Sequence, residues 1–110
     1  MIIYEELVRD KIPDIMIKKD SIPEFRILDD YEYLEELKKK ILEELLDFLQ
    51  DDYVDKLVDV YDLIFAILDA KGIDYNEFYN YRAYNEQEKG AYKKKIYLIS
   101  DNKEYKKHQF

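Results

Sequence analysis

The sequence predicts a mainly helical protein, and three features support this prediction. Only two glycines and two prolines occur in 110 residues, too few for a turn-rich β fold. Charged residues make up 40% of the chain and apolar residues 47%, a balance that suits helices with one solvated face and one buried face. The length is that of one ordinary domain. We therefore expect a single helical domain over residues 1–100 and a polar tail over 101–110.

The first predicted element is a short helix over about residues 10–19. Pro13 lies near its start, where the missing amide hydrogen and the fixed φ of proline are tolerated. The sequence Ser-Ile-Pro at 21–23 ends this helix. Residues 24–28 alternate between polar and apolar side chains, which indicates a short extended segment.

Two long helices follow, over about residues 30–50 and 53–71. Asp29 and Glu32 have the capping-box spacing that stabilises a helix start, and Gly72 ends the second helix. Apolar residues lie on two sides of the second helix, so we expect it to be buried. The narrow strip between those two sides consists of Asp55, Asp59, Asp62, Ala66 and Asp69.

A fourth helix is predicted over residues 75–89. Asp74 and Glu77 repeat the capping-box spacing, and Gly90 ends the helix. Beyond it, residues 95–100 read KIYLIS. This apolar run predicts a second short extended segment.

The composition excludes several classes of site. The chain has no cysteine and no threonine, and His108 is its single histidine. A thiolate site is therefore excluded, and a histidine-based zinc site or a Ser-His-Asp triad would have to use His108. Two isolated glycines cannot form a phosphate-binding glycine-rich loop. We find no stretch of roughly 20 apolar residues that would span a membrane and no secretion signal. We expect a cytoplasmic protein that makes no membrane contact.

Charge is unevenly distributed along the chain. Residues 1–88 carry a net charge of −13 and residues 89–110 a net charge of +5, for a total of −8. An acidic body repels a phosphodiester backbone, so we expect no nucleic-acid partner. The same carboxylates would concentrate divalent cations.

The aspartate strip on the second long helix is the main candidate for a functional site. A carboxylate with apolar neighbours needs a cation beside it. Glu44 and Asp47 on the preceding helix would face this strip if a tight turn makes the two helices antiparallel. Carboxylate oxygens without histidine or thiolate suit Mg²⁺ or Mn²⁺. The alternative is that these acids form surface ion pairs with nearby lysines, namely Lys38, Lys39, Lys40 and Lys56.

Four stretches of the chain resemble one known family. They read YEELVRDKIPDIM, RILDDYEYLEELKKKILEEL, DKLVDVYDLIFAIL and EKGAYKKKIYL and span residues 4–98. In this order they resemble the LVRDKIP subgroup of the MazG-like superfamily, whose members are similar to phosphoribosyl-ATP pyrophosphohydrolase. The resemblance implies a MazG-like helical bundle, a homodimer and magnesium-dependent hydrolysis of a nucleoside triphosphate at its α-phosphorus, giving a monophosphate and pyrophosphate.

The resemblance also assigns roles to acidic residues. Two motifs on neighbouring helices would hold the metal, with Glu44 and Asp47 on the first and Asp59 on the second. Asp62, where the subgroup often has a glutamate, would be the fourth ligand. Glu44 and Glu43 are the predicted catalytic carboxylates, Glu43 as the group that orients the water. Lys56 stands where the second motif of the family begins with an acidic ligand.

Four basic residues are the predicted ligands of the triphosphate. By motif position they are Arg9, Lys11, Arg82 and Lys94. The alternative for the first two is an ion pair at a helix start, and for Lys94 simple solvation. Asn85 stands where the family has a lysine.

Two other functions remain open. The chain could be a catalytically weakened relative that binds a nucleotide or a protein, because the ammonium of Lys56 can neutralise the acids in place of a metal without acting as a Lewis acid. It could also be a structural helical module that forms oligomers through its apolar helix faces.

Overall fold

A computed structural model of the chain describes residues 1–105 and confirms the mainly helical prediction. Within these residues the structure has four helices: α1 (Ile12–Lys18), α2 (Asp30–Asp51), α3 (Val54–Lys71) and α4 (Tyr75–Lys89). None of the four helices is long and apolar enough to cross a membrane. Residues 106–110 of the predicted tail, with His108, lie outside the described residues.

The helix boundaries follow local signals in the sequence. The side chain of Asp29 accepts a hydrogen bond from the backbone N–H of Glu32 at 2.8 Å, which is the expected N-cap of α2. The carboxylate of Glu32 does not complete the reciprocal capping box, because it pairs with Arg26 at 2.7 Å. Gly72 adopts a left-handed φ of 68° directly after α3. A residue without a Cβ atom adopts that conformation at little cost.

The two predicted extended segments do not become strands. Among the described residues no strand is assigned, and both 24–28 and 95–100 lack regular secondary structure. A strand needs a neighbouring strand to accept its backbone hydrogen bonds, and the helical chain supplies none. The alternating pattern of residues 24–28 was therefore not sufficient to form a strand. In the segment 95–100 the large apolar side chains are all exposed, at Ile96, Tyr97, Leu98 and Ile99.

The chain divides into two compact units. The first is Met1–Asp74 and contains α1, α2 and α3, while the second begins at Tyr75 and contains α4. In the first unit α2 and α3 pack against each other. The expectation of one domain over residues 1–100 stays a prediction.

The core of the first unit lies between α2 and α3. Leu37 of α2 is 1% exposed and Leu68 of α3 is 5% exposed. The expectation that α3 is buried on two sides was wrong, because Leu57, Val58 and Tyr61 of its first half are exposed. Burying both sides of a helix requires neighbours on both sides, and α2 covers only one.

Replacing Leu37 with alanine should destabilise the fold strongly. Truncating a fully buried leucine usually costs about 2 to 5 kcal/mol in the free energy of unfolding. Leu98 lies outside the helices and is 60% exposed, so Leu98→Ala is the matched control and should cost much less. Urea denaturation followed by circular dichroism measures both variants. Equal losses would contradict the position of the core.

Candidate functional site

The candidate site is built by the tight connection between α2 and α3. Asp52 follows α2 with a left-handed φ of 59°, and Tyr53 precedes the first residue of α3. Two packed helices joined by so short a connection run antiparallel. The second half of α2 therefore lies beside the first half of α3, as expected, and their acidic residues face a common region.

Lys56 joins the two helices at this region. Its Nζ atom lies 3.4 Å from Oε2 of Glu44 and 3.6 Å from Oδ2 of Asp47. The negative charge of Glu44 raises the pKa of Lys56 above its ordinary value, so the ammonium stays charged at neutral pH. Of the four lysines considered as surface partners of the acids, Lys56 is the one that takes this role. Lys38, Lys39 and Lys40 instead pair with Glu35, Glu36 and Glu6, respectively.

Glu44 is the buried acid of the site. The residue is 7% exposed, and among the described residues it is the only charged one in the buried class. Its Oε2 atom lies within ion-pair distance of Lys56 but accepts no hydrogen bond. A buried carboxylate oxygen with incomplete hydrogen bonding is costly, and such a cost is common where a protein binds a ligand or an ion.

Arg9 occupies the other half of the site. Its two terminal nitrogens lie 2.6 Å from Oδ1 of Asp59 and 2.8 Å from Oδ2 of Asp62. The hydrogen bond from Arg9 lowers the pKa of Asp59 below its ordinary value. Arg9 lies just before α1 and therefore does form ion pairs, as the alternative expected, but its partners belong to α3.

Four acids therefore take part in two ion-pair groups, and we call them the carboxylate cluster: Glu44, Asp47, Asp59 and Asp62. Lys56 contacts the first two members, and Arg9 contacts the last two. The hard oxygen donors suit Mg²⁺ in their chemistry, and the unsatisfied oxygen of Glu44 fits an ion. In residues 1–105, however, no three acids or histidines are grouped so that they could hold a metal.

The segment before α1 has a second attachment to α2. Lys40 lies 3.1 Å from Glu6 and 3.8 Å from Glu43. Glu43 is exposed and belongs to this neighbouring ion-pair group, so its role in orienting the water stays a prediction. The contact between Glu6 and Lys40 was missed by sequence reasoning. The two residues are 34 positions apart, and no periodic pattern relates an irregular segment to a helix.

The remaining predicted phosphate ligands lie elsewhere. Lys11 is exposed at the start of α1. In the second unit Arg82 pairs with Glu86 at 3.0 Å, one turn later on α4, and Lys94 is exposed. An open hollow of about 570 Å³ in that unit is lined by residues that include Arg82, Asn85, Lys89 and Tyr92. Whether these residues bind a triphosphate stays a prediction.

Comparisons with known proteins give no family for this chain. No protein-family model, no curated protein and no solved structure matches the chain. The resemblance to the MazG-like superfamily therefore stays an interpretation of motifs.

Replacing Arg9 with methionine should lower stability in a pH-dependent manner. Because the pKa of Asp59 is depressed in the folded protein, its ion pair stabilises fully above the ordinary aspartate pKa of about 3.9. That contribution is lost as the pH falls through the lower folded pKa. An exposed pair contributes about 0.2 to 1 kcal/mol. Urea denaturation should show this loss for Arg9→Met at pH 7 and a smaller one near pH 3. A loss that stays constant between the two pH values would contradict the assigned pair.

Proposed function

We propose that this protein is a magnesium-dependent nucleoside triphosphate pyrophosphohydrolase. The single observation that carries the proposal is the buried Glu44 beside Asp47 and Lys56, where α2 and α3 meet. The motif resemblance over residues 4–98 supports it. Scattered, fully hydrated acids on these helices would have been incompatible with this activity.

The four members of the carboxylate cluster would hold the metal. When bound, Mg²⁺ supplies positive charge to phosphoryl oxygens and makes a bound water more acidic. In the reaction, a water oxygen forms a bond to the α-phosphorus while the bond from that phosphorus to the bridging oxygen breaks. The leaving oxygen keeps the electron pair, so pyrophosphate departs and a monophosphate remains. The water's proton passes to a carboxylate, for which Glu43 is the candidate.

Basic side chains would hold the substrate's phosphates. Arginine can bind two phosphate oxygens at once through its planar guanidinium. Arg9 and Lys11 are the candidates in the first unit, and Arg9 is the one located at the carboxylate cluster. Arg82 and Lys94 of the second unit stay predictions from their motif positions.

A panel of nucleoside triphosphates, with and without Mg²⁺, tests the proposal through release of pyrophosphate. We expect metal-dependent release from at least one of them. Asp59→Asn should lower the rate at least tenfold, because loss of a ligand or its support typically costs about 10- to 100-fold. Asp14→Asn is the matched control, since Asp14 is exposed on α1. No release from any triphosphate would count against the enzyme.

A non-catalytic role is the second candidate, and Lys56 is the observation that favours it. Its ammonium already contacts Glu44 and Asp47, so charge neutralisation is available without a Lewis acid. In that case the protein would bind a nucleotide or a protein partner without turnover.

The variant Lys56→Glu separates the two candidates. It removes the internal cation and adds a fifth carboxylate, so metal binding should strengthen. If the wild-type protein releases no pyrophosphate and Lys56→Glu gains metal-dependent release, the wild-type protein is the binding protein and not the enzyme. Lys56→Met serves as the control that removes the ammonium without adding a ligand.

We also propose that the chain forms a homodimer. Large apolar side chains stay exposed on both packed helices, at Leu42, Leu46 and Leu49 of α2 and at Val54 and Val58 of α3. Exposed apolar residues that recur on neighbouring helices are typical of association surfaces, and a second copy offers the same surface in return.

Sedimentation equilibrium tests the dimer. The wild-type chain should sediment with twice the mass of one chain, and the double variant Leu49→Glu, Val58→Glu should sediment as a monomer. Ile27→Glu is the control, because Ile27 is exposed outside the helices. A monomeric wild-type chain at high concentration would refute the dimer.

A further inference from the structure

The segment after α4 exposes four consecutive large apolar side chains to water. Ile96, Tyr97, Leu98 and Ile99 are 80%, 88%, 60% and 88% exposed, respectively. Single exposed apolar residues are common, but a contiguous run of them is typical of a surface that a partner covers. We therefore asked which partner this segment of the second unit fits.

The backbone of the same segment is also unpaired. Among residues 1–105, the structure has no hydrogen bond on the backbone of residues 96–100. Free N–H and C=O groups next to apolar side chains are a template for pairing with another extended chain. Isoleucine and tyrosine favour strands, and the segment contains neither glycine nor proline. A partner that supplies a strand would satisfy both the backbone and the side chains.

The charges on either side of the segment select a second copy of the chain as that partner. Three lysines at 93–95 precede the segment, and Asp101 and Glu104 follow it, with Lys103 between them. Antiparallel pairing of two copies brings the basic end of each copy to the acidic end of the other. A parallel pair would place lysines beside lysines, which is unfavourable. An anionic membrane would attract the lysines but repel these acids and a chain of net charge −8.

One antiparallel register fits the apolar residues and the charges together. If Leu98 of one copy lies opposite Leu98 of the other, Tyr97 lies opposite Ile99, an aromatic residue against a β-branched one. Regular pairing begins at Ile96, because Lys95 has a left-handed φ of 59°. Lys95 of each copy then lies at the end of the pair, where Asp101 of the other copy follows the paired residues.

We propose that residues 96–100 pair antiparallel with the same residues of a second copy, with Leu98 opposite Leu98, and become extended on pairing. This contact is separate from the apolar helix faces of the first unit and does not depend on the proposed enzymatic activity. Two strands alone are only marginally stable in water. The pair is therefore weak and reversible, and its test must trap it.

Disulfide trapping in the full chain is the direct test, because the chain has no cysteine of its own. Ile96→Cys and Ser100→Cys lie opposite each other in the proposed register, with Cα atoms about 4.5 to 5.5 Å apart, which suits a disulfide. Two copies of either variant alone place their cysteines four positions apart along the pair, roughly 13 Å. Under mild oxidation, an equal mixture should form the mixed dimer at least about fivefold faster than either variant forms its own dimer, because the longer separation excludes the bond. Mass spectrometry distinguishes the three dimers.

Ser21→Cys and Phe25→Cys form the matched control pair. They have the same spacing of four residues, are exposed and lie in a segment without regular secondary structure. That segment contains Pro23, which cannot donate a backbone hydrogen bond. A mixture of these two variants should show no preference for the mixed dimer.

Adding Leu98→Glu to both cysteine variants should abolish the preference, because two like charges would then lie opposite each other. Circular dichroism verifies that the helices are retained. Equal rates for the mixture and for the separate variants, or a preference that survives Leu98→Glu, would overturn the proposal. Binding of the wild-type chain to vesicles of anionic phospholipid, without a preferred mixed dimer, would assign these side chains to a membrane surface and overturn it as well.

Discussion

The burial of Glu44 between two antiparallel helices is the constraint on which the rest of the site depends. A carboxylate removed from water requires positive charge nearby, and Lys56 supplies it from the facing helix at 3.4 Å. That contact leaves one carboxylate oxygen without a hydrogen bond. Lys56 therefore neutralises the charge of Glu44 by proximity, without donating a hydrogen bond to this oxygen.

Ion pairs also hold the segment before α1 against the helix pair. Asp59 of α3 pairs with Arg9 at 2.6 Å. A second ion pair, between Glu6 and Lys40, attaches this segment to α2. Both contacts involve exposed or half-exposed groups and contribute little individually. Together they determine where the segment lies, although it has no regular secondary structure.

Local signals in the sequence were sufficient to predict the helices but not their environment. Asp29 and Gly72 specify helix ends through contacts within a few residues, so the predicted boundaries agree closely with those of α2 and α3. The predicted extended segments form no strand among the described residues, because a strand depends on a partner that the pattern cannot reveal. The same limitation applies to α3, since its apolar residues show what could be buried but not which neighbours are present to bury them.

The candidate site, too, could be predicted from the sequence only in part. Helical spacing brought Asp59 and Asp62 together, and the short connection after α2 brought Glu44 and Lys56 opposite each other. The position of Arg9 was not predictable in this manner, because it lies 50 residues from Asp59 in an irregular segment. Formal charges show what the two cations leave over. The four acids of the carboxylate cluster against Arg9 and Lys56 leave an excess of two negative charges. The side chains of Asp47 and Asp62 are about half exposed, so water screens part of that excess. The cost of burial therefore falls on Glu44, the one acid of the four that is removed from water.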